Sequence, residues 1–133
     1  MMRRAAMALA AAALMSAAHA ATPVKIIKRW TGHMPAAVAP LLQSSAASQD
    51  EWSRVWATCL MKGAAPAIDF DKHLVLVAVR RSSAVTFNDL KLDNGNLTTS
   101  VAASPDMPNH MTCALALVPR AGVTKVNGAP PGK

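Results

Sequence analysis

Five residues with imidazole or thioether donors fall in two short segments. His33 and Met34 stand in Gly32-His33-Met34-Pro35, and Met107, His110 and Met111 stand in Met107-Pro108-Asn109-His110-Met111. Such donors suit Cu(I), so the two segments, brought side by side, would give a three- or four-donor copper site. The competing reading is two ordinary loops whose methionines cover the edge of a core. The chain has no repeated Met-x-x-Met run, and no cofactor is expected. A second set, Asp69, Asp71 and His73, alternates along the chain. An extended segment would turn all three to one side, where they could hold a metal or orient a base. Against that, Asp69 and Asp71 suit a turn that leads into a strand while Phe70 packs inside. G-x-S-x-G, H-E-x-x-H and Gly-rich phosphate loops are all missing, so no catalytic residue is assigned and the chain reads as non-enzymatic.

Cys59 and Cys113 are the two cysteines of the chain. In an oxidising compartment an even count reads as a disulfide, and two cysteines allow one intramolecular pairing. Two buried free thiols are the alternative; with no C-x-x-C, a redox role is not indicated. Trp30, Trp52 and Trp56 could form an aromatic ligand platform. Trp52 and Trp56 fall on one apolar face, which favours core packing, and Trp30 stays open. Arg80, Arg81, Ser82 and Ser83 end an apolar run. They are either a solvated strand end or a contact for an acidic partner.

The elements that would position these residues follow from local pattern. Residues 24–30 are β-branched and aromatic and predict a strand. Residues 31–42, with Gly32, Pro35 and Pro40, predict a loop that Ser44, Ser45 and Ser48 continue. Ser48-Gln49-Asp50-Glu51 is a capping box. Trp52, Val55, Trp56, Cys59 and Leu60 then repeat at helical spacing, with Gly63 placed to end the helix. Residues 74–79 form a continuous apolar run, a strand buried on both faces. Residues 85–93, Asn94-Gly95 and residues 96–103 predict a hairpin, with a bulge near Asn88 and Asp89 where the apolar phase slips. Residues 111–118 predict a further strand with Cys113, Leu115 and Leu117 on one face, and residues 123–126 a short edge strand. The sum is an α+β domain: one amphipathic helix packed on a small, mainly antiparallel sheet of four to six strands. It would span residues 21–127, with residues 128–133 as a flexible tail.

The chain has 133 residues, 52% of them hydrophobic, which argues for one folded domain and against disorder. It opens Met1-Met2-Arg3-Arg4, continues apolar to Ala18 and reaches Ala18-His19-Ala20. That order predicts a secretory signal peptide over residues 1–20 and a mature start at Ala21. The apolar stretch is short of the roughly 20 residues that span a bilayer, and no later segment reaches that length. Without Arg3 and Arg4, 12 basic residues face 7 acidic ones, a net charge of +5. That charge suits solubility and anionic surfaces. The setting is periplasmic or extracellular, and nucleic acid is not an expected partner.

Glu51-Trp52, Trp56, Ile68-Asp69-Phe70-Asp71-Lys72 and the apolar strand to Val79 resemble PrcB-like secreted domains, named after a protease-complex stability protein. The likeness covers roughly residues 49–120 and takes in the hairpin and the strand from Cys113 to Arg120. Where that family commonly has a Thr-Gly-Gly-like turn, this chain has Arg80-Arg81-Ser82-Ser83, so a contact made by that turn is not carried over. The resemblance implies an exported accessory domain with no established chemistry. The functional expectation is a non-enzymatic module that binds or stabilises a protein partner, with residues 80–83 as a contact surface. The alternative is a periplasmic Cu(I)-binding protein.

Overall fold

The computed structural model describes residues 21–34, 43–107 and 109–133. Along them run β1 (Thr22–Pro23), β2 (Lys28–Met34), β3 (Ser45–Ala46), α1 (Gln49–Thr58), β4 (His73–Arg80), β5 (Val85–Asp93), β6 (Asn96–Ala103), β7 (Met111–Pro119) and β8 (Lys125–Val126). The predicted leader, residues 1–20, and residues 35–42 of the predicted loop lie outside the described residues. No helix among the described residues is long and apolar enough to cross a membrane.

The α+β expectation is corrected. Strands make up 46% and helix 10% of the described residues, so sheets dominate, and there are two of them rather than one. One has the order β2-β7-β4-β3, all antiparallel; the other has the order β1-β5-β6-β8, antiparallel except for β6 and β8. The reason lies in β4. A strand buried on both faces needs two covers, and a ten-residue helix covers one. Leu74, Leu76 and Ala78 of β4, with Ala114, Ala116 and Val118 of β7, turn toward Val85, Phe87, Leu90 and Leu97 of the β5–β6 hairpin. The opposite phase, Val75, Val77, Cys113 and Leu115, meets Trp52, Val55, Trp56 and Cys59 of the helix segment. The hairpin therefore stacks on the central sheet instead of extending it. Its strand β5 buries Val85, Phe87 and Leu90 and exposes Thr86, Asn88, Asp89 and Lys91, the pattern of a sheet with one wet face. The register shifts between Phe87 and Leu90. Asn94 and Gly95 have φ values of 49° and 81°, as a type I′ turn requires.

Of the predicted strand over residues 24–30, only residues 28–30 are strand, in β2. Residues 24–27 cross from β1 in the hairpin's sheet to β2 in the central one; Val24 N–H donates to Leu90 O (2.9 Å) and Ile27 N–H to Leu117 O (2.8 Å). β2 then continues through Gly32 to Met34, where a loop was predicted. Glycine stands in this strand because a neighbour sits very close: a Cβ there would lie 2.7 Å from Cys59 O and 2.8 Å from Met61 Sδ.

Ser48 caps the helix, its hydroxyl accepting Glu51 N–H (3.3 Å), and Glu51 Oε1 accepts Ala47 N–H (2.7 Å). The helix ends before Gly63. Leu60 takes the left-handed conformation (φ 56°), its N–H bonding Ala57 O (3.1 Å) while Met61 N–H bonds Trp56 O (3.2 Å). That pair of bonds is a Schellman motif with leucine where glycine is usual. Residues 128–133, expected to be a flexible tail, lie against residues 43–45. Gln43 Nε2 donates to Gly132 O (3.1 Å), Ser44 Oγ to Lys133 O (2.6 Å), and Gly132 N–H to Ser45 Oγ (2.9 Å).

Candidate functional site

One end of the central sheet gathers two sets of residues that the sequence kept apart. Cross-strand pairing places His33 beside Thr112 and Met34 beside Met111. The His33 and His110 rings stand with centroids 5.0 Å apart at an interplanar angle of 65°. Side chains alternate across a strand, and here that separates the donors. Met34 is buried in the layer between the sheet and the helix, with Met111 packed against the same cluster. His33 and Thr112 share the opposite face. The two imidazoles converge, but Met34 and Met111 do not join them, and the four-donor thioether arrangement is not formed. Met107 is exposed, in the turn that leads to His110; its N–H donates to Arg81 O (3.1 Å) and its carbonyl accepts His110 N–H (3.2 Å).

Thr112 connects the two sets. It is fully buried, and its hydroxyl donates to Ser82 O while lying 3.2 Å from His33 Nδ1. A hydroxyl has one hydrogen. With that hydrogen on the Ser82 carbonyl, Thr112 Oγ1 accepts from His33 Nδ1–H, and the lone pair of His33 is left on Nε2. His110 Nε2 is buried with no hydrogen-bond partner among the described residues. Such a group costs about 1–3 kcal/mol when left unsatisfied. No group of three or more His, Cys, Asp or Glu that could hold a metal occurs among the described residues.

Residues 80–83 form the turn between β4 and β5. Arg80, Arg81 and Ser83 are exposed, whereas Ser82 is 1% exposed. The Ser82 hydroxyl is used internally, toward Ala84 O (2.9 Å), Ser104 O (3.0 Å) and Ser104 Oγ. Ser104 Oγ also accepts Ala84 N–H (3.1 Å) and lies 3.0 Å from Ser83 Oγ. These bonds fasten the turn to the start of the β6–β7 connection. Ser104 and Thr112 were not singled out in the sequence. Thr112 carried a signal, since a lone hydroxyl in the apolar strand 111–118 must find a bond if buried.

Beside this turn, among the described residues, β4 runs past the end of β3, which pairs with it at Val75 and Leu76, and Val77 N–H bonds Ser44 O (2.9 Å). Backbone groups of alternate residues point the same way along a strand, so Val79 presents its N–H and C=O to that side. Arg80 Nη1 caps the Val79 carbonyl (2.8 Å). A groove of about 280 Å³ runs there, between Val77, Val79 and Arg80 on one side and Thr99 and Val101 on the other.

The other candidates fall elsewhere. Asp71 N–H donates to Asp69 Oδ1 (3.1 Å), Lys72 and His73 N–H donate to Asp69 O (3.1 and 3.0 Å), and His73 Nδ1 lies 3.2 Å from that carbonyl. The segment is a turn entering β4, not an extended run with three side chains on one side. Trp30, Trp52 and Trp56 form one cluster, with centroids 5.2, 6.1 and 5.3 Å apart. The indole N–H of Trp52 donates to Pro66 O (3.0 Å) and that of Trp56 to Gly63 O (3.2 Å), so both rings anchor the following loop. Trp30 stays half-buried under the Lys28 ammonium, 5.3 Å from its centroid. Cys59 and Cys113 are joined as a disulfide with Cα atoms 6.2 Å apart, both fully buried beneath this cluster. The disulfide is compatible with an extracellular protein. Compared with protein families, curated proteins and solved structures, the chain matches none of them.

Proposed function

We propose that the chain is an exported, non-enzymatic binding module that holds an extended segment of a protein partner along the β4 edge. This is the accessory role implied by the resemblance to PrcB-like domains. The observation that carries it is the edge itself. Among the described residues β4 has no strand partner beyond Leu76 on that side, and Val79 lines a groove of about 280 Å³. A peptide added there gains main-chain hydrogen bonds, as in strand addition generally. Arg80 and Arg81, both exposed at the groove's end, favour a partner segment with acidic side chains. Arg80 guards the Val79 carbonyl in the free protein, a way of keeping an edge from pairing with the wrong strand.

The test compares capture of a partner from native membranes and culture fluid by the unmodified protein, by Val79→Pro and by Arg80→Glu/Arg81→Glu. Proline removes the outward N–H and is tolerated on an edge. One protein retained by the unmodified chain and lost with both variants supports the reading. Equal retention by all three overturns it.

A further inference from the structure

From the His33–His110 pair we infer a site for one Cu(I) ion, held by the two imidazoles with Met107 as a third, thioether donor. The inference is independent of the partner reading above and uses the β2–β7 side of the same sheet end, not the β4 edge. Three observations carry it. The first is spacing. With a metal–nitrogen bond of about 2.0 Å and about 1.1 Å from nitrogen to ring centre, two imidazoles on one tetrahedral or trigonal ion have centroids roughly 5 Å apart. His33 and His110 stand at 5.0 Å with no ion needed to bring them there. The second is the state of the nitrogens. Thr112 Oγ1 accepts a hydrogen bond from His33 Nδ1–H, which leaves the lone pair on Nε2 for a metal, the orienting role that a hydrogen-bonded neighbour plays at metal-binding histidines. His110 Nε2 is buried and unpartnered among the described residues, so a ligand would satisfy it. The third is the choice of metal. Carboxylates that would favour a dication are not gathered here, and Arg81 is linked by its backbone to Met107. Two neutral imidazoles and a thioether beside a cationic turn suit a soft monovalent ion over Zn²⁺. Met107 lies three residues before His110 in one hydrogen-bonded turn and is exposed. His33 is exposed as well, so an ion can reach it from solvent.

The test is an anaerobic titration of the full chain with Cu(I) against a chromophoric Cu(I) chelator, with Zn²⁺ and Cu(II) titrated in parallel. One equivalent bound more tightly than micromolar is expected. His33→Gln and His110→Gln should each abolish competition, and Met107→Leu should weaken it. Thr112→Val should weaken it by about 10–100-fold, with Thr112→Ser restoring it, because the hydroxyl positions a ligand rather than binding the ion. X-ray absorption at the copper edge should report two nitrogen scatterers and one sulfur. His110→Gln, half-buried, is read beside His33→Gln, which is exposed and leaves packing alone. No uptake at micromolar Cu(I), uptake unchanged in both histidine variants, or tighter binding of Zn²⁺ than of Cu(I) would each overturn the assignment.

Discussion

The covalent bond between Cys59 and Cys113 should account for a large part of the domain's stability. It closes a loop across a sequence separation of 54, and the chain-entropy treatment gives about 4 kcal/mol for a loop of that size. Domains of this kind are stable by roughly 5–15 kcal/mol in all. Both cysteines are fully buried, so a reductant reaches them only when the structure opens. The experiment therefore reduces the protein in denaturant, refolds it with thiols maintained, and compares urea unfolding of the oxidised and reduced forms by far-ultraviolet circular dichroism. The two forms keep nearly the same atoms in the core, which isolates the cross-link from packing. At a urea dependence of about 2 kcal/mol per molar, the midpoint should fall by roughly 2 M. The slope should rise in the reduced form, because its unfolded chain is free to expand. Cys59→Ala/Cys113→Ala should fall further, since it also removes buried sulfur. A midpoint shift below about 0.5 M would refute the reasoning, for the loop would then be closed already in the denatured state.

Three further substitutions probe the same end of the helix. Leu60 holds a left-handed backbone and is 65% exposed, a conformation that costs a non-glycine residue about 1–2 kcal/mol; Leu60→Gly should raise the thermal midpoint by several degrees in calorimetry, and a fall would contradict the Schellman assignment. Gly32→Ala should destabilise the domain by about 1–3 kcal/mol, because the added methyl meets the Cys59 carbonyl, a backbone atom that cannot swing away. Met61→Ala in the same chain should recover only part of that loss in denaturant unfolding, since Met61 Sδ is the second obstacle and not the first.

What the sequence disclosed follows from how local each signal is. The Ser48 cap and the Asn94-Gly95 turn are set by residues a few positions apart, and both stand where their patterns placed them. The two-sided burial of β4 was equally legible, because Leu74 to Val79 offers no polar face. What covers its second face was not. A hairpin with one apolar phase reads the same whether it lengthens a sheet or lies across one, and only the tertiary arrangement chooses. The strand from Lys28 to Met34 was misjudged at Gly32, whose meaning depends on the helix end pressed against it. At the candidate site, the sequence grouped imidazole and thioether donors by proximity along the chain. Alternation in β2 and β7 then sorted them, sending His33 to one face and Met34 to the other. A reading that had placed the strand through residue 34 would have seen that separation.

The tryptophans carry one last consequence. All three sit in the layer between helix and central sheet, and the chain has no tyrosine. Across the other interface the one aromatic side chain is Phe87. Emission from the indoles therefore reports on half of the molecule and is blind to the two sheets parting. A fluorescence trace alone would look like a single cooperative transition even if the sheets came apart earlier, so agreement between emission and a backbone probe is the condition for treating unfolding as two-state.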